Sequence, residues 1–359
     1  MNGIPYATTG TDYYSHALAA FYKKPQVFAT PEFQKFVMVN WLFKDMAEKI
    51  GSGNKLEWRF IRDLSGESQT TSPFQILPTE HEDFFSNGTS HWCETTERCV
   101  WNEKIMGDMK GEAELANYYD SKVLVAITRV MNFLEACPFR VKQNASDLKT
   151  PDGIPWWFPK LDVGVEDTTG GFNGDLSTYG DGTTTATIGG TDRSAVPQAR
   201  TAVGTYNGMN AGAIDTIRHL QNITDYQIPS DIAQYIAWTK AQWKLIMGFT
   251  PYEQYNALVN AGPDPRNGDA NPFNGELTVC GMKVEKVAAM NNLSDSPIYG
   301  INSSMFFPWR HNKFWWNWTP TDNVQGDFYT KFKDVCCKFN FVAVNEKPAG
   351  FCLHRVRTA

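Results

Sequence analysis

The first residues with the types and spacing of a chemical site lie in the segment from 91 to 101. His91, Cys93 and Cys99 occupy odd-numbered positions of a stretch in which polar and apolar residues alternate. If the stretch is a strand, the three side chains project from one face, and imidazole with thiolate suits a tetrahedral zinc ion. No fourth ligand is evident, and cysteine is often only a small buried apolar residue. The pattern therefore favours packing over a metal site.

A cluster of acidic residues is the second candidate, because carboxylate oxygens bind calcium. The cluster falls in a segment rich in Gly, Thr and Asp. Its spacing does not match an EF-hand loop, so a solvated acidic loop is favoured over a calcium site. The residues concerned are Asp162, Glu166, Asp167, Asp175 and Asp181.

Adjacent tryptophans indicate a third possibility, a sugar site, because flat aromatic rings stack on sugars. The pairs are 156–157 and 315–316, and Glu94 with Glu97 would be the carboxylate pair of a glycoside hydrolase. Residues three apart on a strand face opposite sides, which argues against that pair. Aromatic residues are also enriched in protein interfaces, which is the favoured interpretation. A carbohydrate-active enzyme or sugar-binding module with a Trp-lined site stays open as the alternative function.

The composition argues against several other classes. The 359 residues carry a net charge of −6 with both signs mixed along the chain. Proteins that bind nucleic acid sequence-specifically normally present a basic surface. The seven cysteines are scattered, as expected for reduced thiols. No apolar run approaches the roughly 20 residues that span a bilayer. The common phosphate-loop, zinc-hydrolase and acyl-transfer signatures are missing. The sequence thus predicts a non-enzyme without catalytic residues, metal or cofactor.

The N-terminal third predicts an arm, a helix and a hairpin. Residues 1–29 are aromatic-rich without periodicity, which suits an arm lying on a neighbouring subunit or on its own core. An N-cap residue followed by proline predicts an amphipathic helix over residues 31–50. Residues 56–61 and 91–101 alternate in polarity, which predicts the two strands of a long hairpin. A lone hairpin is only marginally stable in water, so we expect it to pack against a partner chain.

The clearest helix covers residues 112–136 and ends before a proline. Residues 164–191 carry too little apolar material to hold themselves in place, so we expect them to dock on another surface. The predicted apolar stripe of the helix comprises Ala116, Tyr119, Val123, Ile127, Val130 and Leu134. The remaining elements are predicted as a helix over 209–224, a strand over 242–247, a helix over 250–261, two strands within 277–284 and a strand over 338–344.

This order of parts resembles the Hong Kong 97 fold of tailed-phage major capsid proteins. Local features that match are the strand and capped helix from Trp243 to Pro251, the turn from Gly281 to Val284 and the segment from Ser296 to Ile301. Residues 150–200 and 307–335 are longer than the family pattern and are expected as additions. The resemblance covers nearly the whole chain and implies an α+β fold.

The resemblance also implies a division of the chain and a set of contact residues. The hairpin is expected to overlie an adjacent subunit, and the contact candidates are Trp58, Arg59, Arg62, Trp92, Glu94, Glu97 and Arg98. The implied parts are an N-terminal arm with a helix (1–54), an extended hairpin (55–110), a peripheral domain with the spine helix and a Gly/Thr-rich insertion (111–200), an axial domain (201–335) and a C-terminal strand that returns to the peripheral domain (336–359).

The implied function is that of a bacteriophage structural protein. Such a chain self-assembles into the pentamers and hexamers of an icosahedral virion shell that encloses double-stranded DNA. The implied partners are other copies of the chain, then scaffolding and portal proteins, and packaged DNA contacted non-specifically, with no membrane. Assembly is expected in the host cytoplasm.

Overall fold

The computed structural model describes residues 36–51, 53–61, 85–108, 112–142, 146–161, 171–176, 187–188, 191–193, 200–225, 243–260 and 277–356. The predicted N-terminal arm, Arg62 and most of the Gly/Thr-rich segment lie outside these ranges. The helices are a π-helix (Val39–Met46), α1 (Glu103–Asp108), α2 (Glu112–Ala136), α3 (Ile154–Trp157), α4 (Ala211–Thr224), α5 (Phe249–Asn260) and α6 (Glu346–Ala349), with 3₁₀ turns at Cys137–Phe139 and Ala288–Asn292.

Most of the strands belong to two sheets, and two short two-stranded sheets accompany them. In chain order the strands are β1 (Glu48–Ile50), β2 (Leu56–Ile61), β3 (Phe85–Ser90), β4 (Cys93–Asn102), β5 (Gly171–Leu176), β6 (Thr187–Ile188), β7 (Thr191–Asp192), β8 (Thr201–Tyr206), β9 (Trp243–Met247), β10 (Thr278–Val279), β11 (Met282–Lys286), β12 (Ile298–Asn302), β13 (Phe306–His311), β14 (Asn317–Trp318), β15 (Asp322–Val324), β16 (Asp327–Ala343) and β17 (Gly350–Arg355).

The first sheet is built around β16, which is 17 residues long. Strand β4 pairs antiparallel with one edge of it, from Cys93 opposite Phe339 to Asn102 opposite Thr330. Strands β13, β14 and β15 pair with β16 as well, and β1 joins β13 in parallel. One face of β16 is apolar and packs on the larger core, because side chains on a strand alternate between faces. Its buried members are Val335, Cys337, Phe339 and Phe341.

The second sheet has seven strands in the order β10-β11-β9-β12-β17-β8-β5. Helix α4 covers it and supplies the apolar side chains of the smaller core, among them Ile217 and Leu220. The helix begins where the Asn210 side chain accepts a hydrogen bond from the Ala213 N–H at 3.0 Å, which satisfies a free donor of the first turn. Between β10 and β11, Cys280 and Gly281 both have positive φ, the geometry of a tight hairpin turn.

The long helix α2 covers residues 112–136 as predicted. Pro138 follows in a 3₁₀ turn and ends it, because proline cannot continue the hydrogen-bond ladder. The predicted apolar stripe needs a correction at Val123 and Ile127, which are only half-buried, whereas Ala126 is buried. The side chain of Ala116 lies outside the described part. The buried stripe therefore runs through Tyr119, Ala126, Val130 and Leu134.

Two sequence predictions in the N-terminal third are wrong. Strand β2 pairs with β3 and not with residues 91–101, which form β4 and pair with β16 instead. The predicted helix over 31–50 is too long, because the described helix ends at Met46 and residues 48–50 form β1.

The later elements occur close to their predicted positions as α4, β9, α5, β10, β11 and the end of β16. Strand β17 was not predicted, and it joins the second sheet. The division of the chain into five parts stays a prediction.

Candidate functional site

The β2–β3 hairpin is fixed to the body of the molecule by Trp58. Its ring lies 5.9 Å from that of Trp309 and 6.1 Å from that of Trp157, between ring centroids. Gly88 faces it across the hairpin, and a Cβ atom there would lie 2.2 Å from the Trp58 ring. Only glycine leaves room for the indole. Trp58 is 8% exposed, so it is a core anchor and offers little surface to a neighbouring subunit.

The other face of the hairpin base is polar and exposed. Glu57 and Arg59 on β2 stand opposite Thr89 and Asn87 on β3, and all four are exposed. The base thus has one face in the core and one face available for contact. Residues 62–84, which connect β2 and β3, lie outside the described residues.

A buried group of polar side chains lies directly behind the hairpin, and we call Ser90, His91, Lys142, Asp152 and Asn340 the Asp152 cluster. Lys142 Nζ lies 2.6 Å from Asp152 Oδ1. Ser90 Oγ donates a hydrogen bond to Asp152 Oδ2. Asn340 Nδ2 donates to the His91 carbonyl oxygen at 2.7 Å. The cluster therefore joins the end of β3, the segment after α2 and strand β16.

The cluster is not arranged as a nucleophile with a general base. Ser90 donates to the carboxylate and not to His91, whereas a serine nucleophile needs its hydroxyl on the imidazole. His91 Nδ1 lies 3.8 Å from Asp152. Burial lowers the pKa of His91, opposed by the nearby carboxylate.

The proposed metal ligands do not converge. Cys93 Sγ donates to the Lys149 carbonyl oxygen at 2.8 Å, and burial raises the pKa of the Cys93 thiol to about 11. Cys99 packs near Trp101 and Tyr119 against α2. Within the described residues, no three His, Cys, Asp or Glu side chains are grouped for a metal ion. Of the acidic candidates for calcium, Asp162, Glu166, Asp167 and Asp181 lie outside the described residues, and Asp175 lies on β5.

The remaining predicted contact residues lie on or beside β4. Arg98 makes two hydrogen bonds to Asp334, at 2.8 and 2.9 Å, and its guanidinium stacks on Phe332. Glu97 pairs with Arg129 of α2 at 2.9 Å. Glu94 accepts a hydrogen bond from Cys336.

The even-numbered residues of β4 define an open face on the first sheet. Arg98 is 57% exposed in its side chain and Val100 is 40% exposed, while Glu94 and Thr96 are also exposed. We call Glu94, Thr96, Arg98 and Val100 the open face of β4. Trp92 is half-buried beside it, where its Nε1 donates to the Gly53 carbonyl oxygen at 2.9 Å. Both signs of charge and one apolar side chain are therefore available to a partner.

The tryptophan pairs do not form a sugar platform. Trp156 and Trp157 are buried in the larger core. Trp315 stacks on Phe43 with ring centroids 5.4 Å apart. The first pair is thus covered by the chain itself, and the rings of the second pair, Trp315 and Trp316, are half-buried and lie 77° apart in plane. The interpretation of these rings as a sugar site is not supported.

Two further anchors escaped prediction because their partners are far apart in sequence. The Glu135 carboxylate accepts hydrogen bonds from the backbone N–H groups of Val37, Met38 and Val39, between 2.9 and 3.1 Å. A helix start leaves these donors free and favours negative charge. Burial raises the pKa of Glu135, and the three N–H donors oppose that shift. Glu135 therefore ties the first described segment to α2.

The second anchor is a buried ion pair between Arg193 and Glu346. Arg193 is fully buried, with its Nε 2.6 Å from Glu346 Oε2, and it also donates to Thr201 Oγ1 and the Trp157 carbonyl oxygen. Burial raises the pKa of Glu346 to about 7, opposed by the guanidinium. Glu346 lies between β16 and β17. The pair thus sits where the chain passes from one sheet to the other.

No helix in the described ranges is long and apolar enough to cross a membrane.

Comparison with known proteins finds no match among family models or curated sequences, but solved structures match in fold. The capsid asymmetric unit of cyanophage A-1(L) has 10% identity and a TM-score of 0.58, covering 94% of this chain and 97% of that chain. The capsid of a native GTA particle has 9% identity and a TM-score of 0.54, covering 93% and 95%. A Mycobacterium phage Bobi structure has 9% identity and a TM-score of 0.52, covering 94% and 98%. The chain therefore has the α+β fold of Hong Kong 97-like capsid proteins, which confirms the fold prediction.

Proposed function

We propose that this chain is the major capsid protein of a tailed phage and that it assembles into an icosahedral shell around double-stranded DNA. The observation that carries the proposal is the agreement in fold with phage capsid structures over nearly the whole chain. Function is then assembly and not catalysis. Two different surfaces of the subunit pair with each other between identical copies, around five-fold and six-fold positions, until the shell closes.

The surfaces of the molecule support this role. The exposed face of the hairpin base carries Glu57 and Arg59, and the open face of β4 carries Glu94, Arg98 and Val100. Mixed charges at a contact fix orientation and exclude wrong partners more than they add affinity. We therefore assign contacts between subunits to these two surfaces, with Trp92 and Glu97 beside the open face of β4. Arg62 stays a predicted contact residue outside the described ranges.

The remaining partners follow from the same proposal. A net charge of −6 suits a shell that contacts packaged DNA weakly and without sequence preference, because tight binding requires many cationic contacts to phosphate. Scaffolding and portal proteins would act during assembly, in the host cytoplasm, and the finished chain resides in the virion.

Replacing residues 62–84 with a short Gly–Ser linker is expected to leave a folded subunit that forms no shells. The strands on either side keep their anchor, because Trp58 and Ser90 bind the body of the same chain. In our proposal the hairpin overlies an adjacent subunit, so contacts with that subunit continue from the exposed face of the hairpin base into residues 62–84. Sedimentation velocity measures assembly, and circular dichroism with a thermal melt measures folding.

A second variant replaces the same residues with a Gly–Ser segment of equal length. It should also fail to assemble, which separates specific side-chain contacts from loop length. Shells of normal size at wild-type yield from either variant would contradict the assigned role of the hairpin.

A further inference from the structure

A short two-stranded sheet, β6 with β7, lies beside the base of the β2–β3 hairpin. Ile188 of β6 stands opposite Thr191 of β7, and Cα atoms of β7 lie within 8 Å of Cα atoms of β3. The side chain of Ile188 is fully buried and belongs to the larger core, as does Trp58 of the hairpin. The small sheet is therefore packed beside the hairpin and into the body of the molecule at the same time.

Arg193 directly follows β7 and fixes its end where the chain passes from the first sheet to the second. Its Nε lies 2.6 Å from Glu346 Oε2, and Glu346 stands between β16 and β17. Nη2 donates to the Trp157 carbonyl oxygen at 2.9 Å, and Nη1 donates to Thr201 Oγ1 at 2.8 Å. The planar guanidinium presents its donors in fixed directions. One fully buried side chain thus ties β7 to α3, to the start of β8 and to the link between β16 and β17.

Both strands of the hairpin base lead to Arg193 through short contacts. On one side, β7 lies beside β3, and Arg193 follows β7. On the other side, the ring of Trp58 on β2 lies 6.1 Å from the ring of Trp157, whose carbonyl oxygen Arg193 binds. Close-packed interiors transmit strain between neighbouring groups. The hairpin base is therefore coupled mechanically to the link between the two sheets.

From these contacts we infer that β6, β7 and Arg193 form an internal brace, which holds the base of the hairpin at a fixed angle to the two sheets. The brace lies within residues 150–200, which are longer than the family pattern, so it is an addition of this chain to the common fold. Its consequence for assembly rests on the proposed function. Where the hairpin overlies an adjacent subunit, a small rotation at its base becomes a larger displacement further along. The brace then sets where the hairpin meets that subunit.

Hydrogen exchange of the full-length protein tests the brace in a variant that keeps the fold. Arg193→Met with Glu346→Leu removes both charges together, which is often neutral for global stability. Methionine cannot donate to the Trp157 carbonyl oxygen or to the Thr201 hydroxyl. We expect amide exchange in β2 and β3 to rise by about tenfold, as for the loss of one or two hydrogen bonds in a local opening. Exchange in β9 of the second sheet should equal that of the wild type.

A smaller change tests the β6 side of the brace. Ile188→Val shortens one buried side chain by a single carbon, and Ile246→Val on β9 is the matched control, because it makes the same change in the same core. Both variants should fold, since this substitution is among the mildest in a core. We expect faster exchange in β2 and β3 for Ile188→Val alone. If the double variant does not fold, this pair decides.

Two results would overturn the inference. One is hairpin exchange that is equal in the wild type and the double variant, and the other is equal hairpin exchange in Ile188→Val and Ile246→Val. Trp58 and the Asp152 cluster would then hold the hairpin without a brace.

Electron microscopy of the same proteins tests the link to assembly. Shells of irregular size from the variants with faster hairpin exchange, beside regular wild-type shells, would support it, and regular shells from those variants would contradict it. If the wild type forms no shells, the proposed function fails, while the exchange measurement still decides on the brace.

Discussion

Val130→Asp is expected to abolish soluble, folded protein. Val130 lies on the buried stripe of the long helix α2 and is 2% exposed, and it belongs to the larger core. An aspartate there would bring a charge into the core without a partner, which costs several kcal/mol. That cost is comparable with the total stability of a typical domain, about 5–15 kcal/mol. Soluble yield and the thermal melt of any purified protein measure the effect.

Val125→Asp is the matched control, because it makes the same change on the same helix. Val125 is 42% exposed, and surface substitutions usually change stability by no more than about 0.5 kcal/mol. We expect wild-type yield and melting temperature. A cooperative melt of Val130→Asp close to that of Val125→Asp would show that this stripe is not part of the core.

Glu346→Ala is expected to destabilise the protein by about 3–5 kcal/mol, because it leaves the buried guanidinium of Arg193 without its counter-ion. Urea denaturation followed by tryptophan fluorescence measures the change in the free energy of unfolding. The effect arises mainly from the unpaired charge. The double variant Arg193→Met with Glu346→Leu should therefore recover most of the loss, since replacing both charges with apolar groups is often neutral.

The control for this prediction is Asp215→Ala. Asp215 pairs with Arg218 at 3.0 Å on the surface of α4, where the two side chains are 71% and 41% exposed. Exposed pairs contribute about 0–1 kcal/mol. If Glu346→Ala loses no more stability than Asp215→Ala, the buried pair does not stabilise the link between β16 and β17 as we expect.

The sequence predicted elements well where the pattern is local. Helix α2 was correctly placed because both signals are local in sequence. The apolar spacing lies within the helix, and the proline directly follows its end. The alternation of residues 91–101 correctly indicated a strand. It did not identify the partner strand. Alternation shows which side chains share a face of the strand, but it does not show which strand pairs with it. The true partner, β16, begins at Asp327.

The anchors of the candidate site were missed for a related reason. Asp152, Asn340 and Glu135 occur in no recognisable motif. Asn340 lies 188 residues from Asp152, and Val37 lies 98 residues from Glu135. Trp58 was predicted to contact a neighbour because the resemblance places the hairpin on an adjacent subunit, whereas its ring packs against Trp157 and Trp309 of the same chain. The overall fold was recognisable because the order of the elements is a property of the whole chain. Individual contacts depend on which distant segments meet, and local patterns do not encode that.

Electron microscopy of the purified protein under assembly conditions tests the central claim most directly. The proposal predicts closed icosahedral shells in which pentamers and hexamers of this single chain are resolved, with the hairpin of one subunit lying on its neighbour. A uniform monomer that never associates, and above all one that cleaves a polysaccharide, would contradict it.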